Sequence, residues 1–176
     1  MNKIKNAIRT IPNFPIDGIM FRDVTTLYSN SEAMKEVIKL TCDYWRNEGL
    51  TSIAGIEARG FITGSIIANQ LSLPFVPIRK KGKLPYDTLS QDYELEYGKA
   101  TIEIHSDALN RNDNVLIVDD LIATGGTALA SIELVKKLDA NVNGCTFIID
   151  LPELKGREKI EEIGIEVQTL CSFEGH

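Results

Sequence analysis

Apolar residues recur along this chain in two rhythms. Val115-Leu116-Ile117-Val118 is a continuous, branched run, which predicts a strand buried on both faces in a parallel sheet. Ser52 to Ile56, Phe75 to Arg79, Gly144 to Leu151 and Ile165 to Leu170 predict further strands, and Ala100 to His105 alternates as a half-buried strand does. Between them the spacing turns helical. Met34, Val37, Ile38, Thr41 and Trp45 share one helix face, Leu129, Ile132, Val135 and Leu138 another. Ser29 with Glu32 reads as a capping box for the first of these helices, which runs to about Glu48 and stops at Gly49. Further helices are expected over Lys3 to Arg9, Phe61 to about Leu71 and Glu153 to Gly164. Strands alternating with helices define an α/β fold: a mainly parallel, twisted sheet flanked by helices.

Four features break the rhythm. Ile11 to Gly18 holds two prolines and a terminal glycine and reads as an irregular turn. Pro77 inside a strand predicts an edge position or a bulge. Residues 80–93 show no core periodicity, so they read as a long connection of the kind that forms lids or stays disordered. Asn110 to Asn114 is turn chemistry that feeds the central strand.

Composition narrows the class. At 176 residues the chain is sized for one domain with a real core, and a net charge of −6 speaks against a general nucleic-acid binder. Cys42, Cys145 and Cys171 are widely spaced and odd in number, the pattern of free thiols in a reducing compartment. No apolar run is long enough to cross a bilayer and the first residues lack a signal-peptide core, so a soluble, cytoplasmic protein is expected. His105 and His176 read as surface residues without metal-ligand spacing.

The chemistry is concentrated where the central strand ends. Asp119 and Asp120 follow Val118, then come Ala123-Thr124-Gly125-Gly126-Thr127 and a helix. Glycines let successive N–H groups point into one concavity, the threonines add hydroxyls, and the helix start supplies a positive dipole end. The loop is neither a Walker A sequence nor a GxGxxG, and it holds no lysine. A cradle of this kind beside two carboxylates suits a sugar phosphate, with the acids accepting hydrogen bonds from a vicinal diol. The plainer alternative is an ordinary strand-to-helix turn with solvated aspartates. Arg59, just before a helix, is an anion-site candidate or an ion-pair partner of Glu57. Phe21 taken alone is a core residue and Arg22-Asp23 a surface ion pair. Arg79, Lys80, Lys81 and Lys83 form the only dense basic cluster, either a solvated hairpin or a lid over an anion.

The stretch VLIVDDLIATGGT resembles the phosphoribosyl pyrophosphate loop of the phosphoribosyltransferase family. FRDVTTL, GIEARGF, PIRKKGKLP and LEYGKATIEIH, with the terminal GH, follow in the order that family uses, and together they resemble its adenine-specific branch. The resemblance implies the type I fold as a single domain over 1–176, with a small hood over the base at about 1–30 and a flexible lid loop at about 80–99. It implies phosphoribosyl pyrophosphate held by Asp119, Asp120, Ala123, Thr124, Gly125, Gly126 and Thr127, and pyrophosphate held by Arg59, Arg79 and Lys83. Met20, Phe21, Arg22 and Leu121 are implied at the adenine, Tyr97 on the lid, and Glu96 as a catalytic group facing the purine beside Arg59, Asp119 and Asp120.

The reaction implied is phosphoribosyl transfer to adenine, giving AMP and pyrophosphate. Mg2+ would be carried mainly by the substrate pyrophosphate, without a dedicated protein metal cage. A homodimer without nucleic-acid or membrane partners is implied too. Two other readings share the cradle: a transferase for xanthine, hypoxanthine or orotate, and a non-enzymatic sensor of phosphoribosyl pyrophosphate. The sensor would carry an added helix-turn-helix or a basic face, and neither is visible.

Overall fold

In the computed structural model, which describes residues 3–94 and 98–175, seven strands form one sheet. A two-stranded hairpin, β1 (Arg9–Pro12) and β2 (Met20–Asp23), lies apart from it beside the short helices α1 (Lys3–Ala7) and α2 (Thr25–Tyr28). Helix α3 (Ser31–Trp45) leads into β3 (Ser52–Ile56), α4 (Arg59–Leu71) and β4 (Phe75–Lys80). An antiparallel arm follows, β5 (Thr88–Glu94) and β6 (Lys99–His105). The chain then returns to the centre as β7 (Asn114–Ile122) and continues through α5 (Gly126–Lys137), β8 (Asn141–Asp150), α6 (Gly156–Glu162) and β9 (Glu166–Ser172).

The sheet order is β5-β6-β4-β3-β7-β8-β9, with β4, β3, β7, β8 and β9 parallel. The parallel core explains the uninterrupted apolar run. Val115 and Ile117 enter one hydrophobic cluster with Ile132, Val135 and Ile160 on the α5 side. Leu116 and Val118 enter another with Trp45, Ile53 and Ile67 on the α3–α4 side. A strand covered on both faces has no polar position to spare.

Topology also fixes where a ligand belongs. Successive strands step outward from β3 to β4 on one side, and the chain resumes with β7 on the other. The carboxyl ends of β3 and β7 therefore flank a switch in winding direction, the crevice where open α/β sheets bind ligands.

Several expectations need correction. The cap of α3 is Asn30, whose side chain accepts from the Ala33 N–H at 3.1 Å. Ser29 instead closes α2 by donating to the Thr26 carbonyl, and Glu32 pairs with Lys35 on the helix surface. Helix α3 stops at Trp45, and the chain turns at Gly49 with φ +68°. Part of the stretch read as a loop is strand: β5 pairs with β6 from Thr88–His105 to Glu94–Lys99. It escaped notice because an outer, half-exposed strand carries no core stripe. Pro77 lies where β4 has β3 alone as its ladder partner, since β6 joins only at Arg79 and Lys80, so the edge reading was locally right. His105 is half-buried rather than exposed, with Nε2 lacking a partner among the described residues. The last helix is shorter than expected, preceded by a single 3-10 turn at Pro152–Leu154.

Candidate active site

The loop after β7 is shaped by a glycine that nothing else replaces. Gly125 sits at φ +82° as the residue before α5, and a Cβ there would come within 3.0 Å of the Gly156 backbone. The loop walls a cavity of about 190 Å³, lined by Asp119, by the unbroken run from Leu121 to Ala128, and by Phe147. The structure therefore gathers Asp119, Leu121, Ala123, Thr124, Gly125, Gly126 and Thr127 around one concavity at the start of α5.

Asp120 is turned to a different task. Its carboxylate is 3% exposed and accepts from Arg59 Nε at 2.5 Å, across the crevice between β3 and β7. Arg59 is the first residue of α4, and its side chain remains half-exposed, so the guanidinium spans from the buried acid to solvent. The expected alternative, an Arg59–Glu57 pair, is not what forms. The Asp120 N–H donates to Asp119 Oδ1 at 2.8 Å. Burial, and after it the negative charge of Asp120, hold the Asp119 carboxyl well above the ordinary carboxylate range.

The two carboxylates and the arginine meet because α4 lies very close to β7. A Cβ on Gly60 would stand 2.4 Å from the Val118 carbonyl oxygen and 3.2 Å from Asp119 Oδ1. The approach that brings Arg59 to Asp120 thus requires the absence of a side chain at residue 60. The peptide bond between Glu57 and Ala58, in the turn that delivers Arg59, is cis.

Of the basic stretch, the Arg79 side chain meets a protein acid, while Lys80, Lys81 and Lys83 are exposed. Arg79 Nε and the Lys80 N–H both donate to Glu57 Oε2 at 3.1 Å, and Arg79 Nη1 donates to the Lys83 carbonyl at 2.9 Å. Burial alone would raise Glu57, yet the Lys80 N–H and Arg79 keep it below its usual value, with Lys83 contributing. The Gly82 N–H donates to buried Glu103 at 2.9 Å. These bonds anchor the beginning of the 80–99 segment beside the 57–59 turn. Glu96 and Tyr97 lie outside the described residues.

In the hood, Phe21 is half-buried and packs edge-on against Phe14 with ring centroids 5.1 Å apart. Arg22 does not pair with Asp23. It donates to Thr10 Oγ1 at 2.6 Å and to the Glu174 and Gly175 carbonyls, and it lies over the Phe173 ring. Asp23 is buried and binds Arg9 at 2.6 Å together with the Thr25 hydroxyl and N–H. Met20 faces Pro12 across the hairpin.

Two supports of the site had no sequence signal of their own. The α6 region braces the loop from outside: the Leu151 N–H donates to the Ile122 carbonyl, the Gly156 N–H to Ala123 and Lys159 Nζ to Thr124, at 3.1, 3.0 and 2.9 Å. A Cβ on Gly156 would collide with the Ala123 carbonyl at 2.3 Å, so that glycine is as necessary to the loop as the loop's own. The other is Tyr28 of α2, whose hydroxyl reaches the Arg59 carbonyl at 3.5 Å. Among the described residues, no group of three or more His, Cys, Asp or Glu is placed to hold a metal ion, and no helix is long and apolar enough to cross a membrane.

The glycine-rich loop and the paired acids thus lie at the switch point of a parallel sheet, the place where open α/β folds bind ligands. The chain belongs to the phosphoribosyl transferase domain family, whose profile matches residues 23–171. Its similarity within that family is to adenine phosphoribosyltransferases. The one from Maricaulis maris is 56% identical over 172 residues, covering 98% of each chain. The crystal structure of the Rhodothermus marinus adenine phosphoribosyltransferase superposes with a TM-score of 0.91 at 46% identity, covering 97% of this chain and 96% of that one. The Saccharomyces cerevisiae enzyme, crystallised with adenine and an imino-altritol bisphosphate, has a TM-score of 0.89 at 40% identity and covers 96% of this chain and 97% of its own.

Proposed function

We propose that this chain is an adenine phosphoribosyltransferase of purine salvage, moving the 5-phosphoribosyl group of phosphoribosyl pyrophosphate onto adenine to give AMP and pyrophosphate. The observation that carries the reading is the roughly 190 Å³ cavity formed by the β7–α5 loop beside the Asp119–Asp120 pair. The full-length similarity to adenine enzymes selects the base and does not favour a 6-oxopurine transferase or a sensor.

In this reading the loop from Ala123 to Thr127 binds the 5′-phosphate through backbone N–H groups, the threonine hydroxyls and the start of α5. That contact is remote from the bond being broken, so it orients the ribose rather than activating it. Asp119 and Asp120 take the ribose hydroxyls. The negative charge of Asp120 favours the oxocarbenium character that develops when the anomeric carbon parts from the pyrophosphate oxygen. Arg59 neutralises the departing pyrophosphate, Arg79 transfers to the same anion from Glu57, and Lys83 joins it there. Adenine N9 then bonds to the anomeric carbon from the opposite side, and its proton leaves toward Glu96. Phe21 and Leu121 sandwich the purine, while the backbone of Met20 and Arg22 reads its edge.

The hard oxygen donors at the site fit a magnesium ion carried on the substrate, with Asp119 or Asp120 completing its shell. Such an ion supplies charge neutralisation to the leaving group. A homodimer is part of the proposal. It is supported by Ile62 and Ile66, exposed on α4, and by a neighbouring groove of about 530 Å³ lined by Met34, Ile38 and Cys42. The three buried free cysteines support a cytoplasmic home.

The test is an incubation of the purified chain with labelled adenine and phosphoribosyl pyrophosphate, with and without magnesium. Labelled AMP formed only with magnesium supports the reading. Preference for hypoxanthine or xanthine over adenine overturns it.

A further inference from the structure

Tyr28 is the one ring of α2 that reaches the crevice. Its aromatic body packs into the cluster that contains Val24, Leu27, Leu121 and Ala123, which ties it to both the hood and the β7 end. Its hydroxyl arrives at the turn that carries Arg59, and the contact it makes there, to the Arg59 carbonyl, is 3.5 Å long. Hydroxyl donors ordinarily settle about 2.7–2.8 Å from their acceptors, so this donor is held at the site without being well used. The same guanidinium-bearing residue binds Asp120 at 2.5 Å. Tyr28 therefore stands where the hood, the 57–59 turn and the paired acids converge. Burial, and then the charge of Asp120, raise its phenol above the ordinary tyrosine value, so it stays a neutral donor.

An ionised aspartate can only accept hydrogen bonds, and the 57–59 turn offers one guanidinium. An anion seated there has more oxygen lone pairs than Arg59 can satisfy. A neutral phenol adds a donor without adding charge to a site that already holds one arginine and two acids. Hydroxyl bonds to anionic oxygens are also short and among the stronger ones.

We propose that Tyr28 is a substrate-contacting residue whose hydroxyl donates to a pyrophosphate oxygen beside Arg59, swinging from the Arg59 carbonyl when the anion arrives. This rests on the transferase reading above. It makes the hood more than a base-binding element, since one of its helices also grips the leaving group.

The test is Tyr28→Phe in the full chain, which keeps the packed ring and removes only the hydroxyl. Two readouts are used: KM values for all four reactants in both directions, and calorimetric binding of magnesium pyrophosphate without turnover. The expected result is about a tenfold or greater loss in pyrophosphate affinity and a matching rise in the KM for phosphoribosyl pyrophosphate, with adenine KM within about twofold. Unchanged pyrophosphate binding overturns the proposal. So does a parallel rise for adenine and pyrophosphate, which marks a displaced hood. A wild-type protein that binds pyrophosphate yet makes no AMP sinks the transferase reading instead, and the two failures are told apart.

Discussion

The close backbone approach between α4 and β7 makes a quantitative prediction for Gly60→Ala. In an exposed helix the change to alanine stabilises by roughly 0.5–1 kcal/mol, because glycine gives up more chain entropy on folding. Here the added methyl would lie 2.4 Å from the Val118 carbonyl oxygen and 3.1 Å from the Asp119 Cα. Carbon–oxygen contacts close to about 3.3 Å at best, so α4 must retreat from β7 by roughly 0.9 Å. Both colliding groups belong to β7, and neither is the free end of a flexible side chain. Overpacking of this kind costs about 1–3 kcal/mol, more than the entropic gain. Net of that gain the loss is up to about 2.5 kcal/mol, which for a chain of this size lowers Tm by up to about 10 °C. The same retreat pulls Arg59 off Asp120, whose bond is 2.5 Å, and a displacement near 1 Å costs on the order of 100-fold in turnover. Calorimetry and steady-state AMP formation on the same preparation read both effects. A variant as stable and as active as wild type would refute the claim that this contact sets the distance between arginine and acid.

Gly144→Ala supplies a contrast, because its methyl would stand 2.1 Å from the fully buried Trp45 ring, in the hydrophobic core. A loss of about 1–3 kcal/mol is expected in denaturant titration, with kcat/KM within about twofold at a temperature where the variant stays folded; an equal loss of activity would tie the site to the core more tightly than the packing indicates. Asp120→Asn keeps the shape of the side chain but removes the charge opposite Arg59, so turnover falls by about 100-fold or more in a protein of unchanged circular dichroism. Near-normal turnover would remove Asp120 from the mechanism. Asp119→Asn is expected to raise Tm at neutral pH while lowering activity. The unfolded chain ionises this group near pH 3.9, whereas the folded chain resists ionisation until well above it. The gain therefore opens above about pH 4 and vanishes below it, and a Tm decrease at neutral pH would contradict the assignment.

What could be read from the sequence was whatever a local pattern dictates. Val115 to Val118 announces a doubly covered strand because every position is apolar, and Asp119-Asp120 announces a site because charge should not follow such a run without a reason. The loop glycines carry their backbone demand openly. The first failure was one of phase: Ser29 and Asn30 are both capping residues, and only the backbone shows that Asn30 takes the role. Thr88–Glu94 was lost because an outer strand exposed on one side has no core stripe to display. The remaining misses are non-local. Nothing near Arg79 says that it meets Glu57, and nothing near Gly156 or Lys159 says that they touch Ala123 and Thr124, more than thirty residues earlier. Tyr28 belongs to no motif in the sequence, and its proximity to Arg59 is a product of where the fold places α2.

The external brace on the β7–α5 loop has a consequence for biosynthesis. The carbonyls of Ile122, Ala123 and Thr124 are satisfied by donors from Leu151, Gly156 and Lys159, which leave the ribosome later. A nascent chain that has completed β7 and α5 already owns every residue of the loop but lacks the donors that fix its curvature. The loop's final shape is thereby deferred until the residues through Lys159 have been translated.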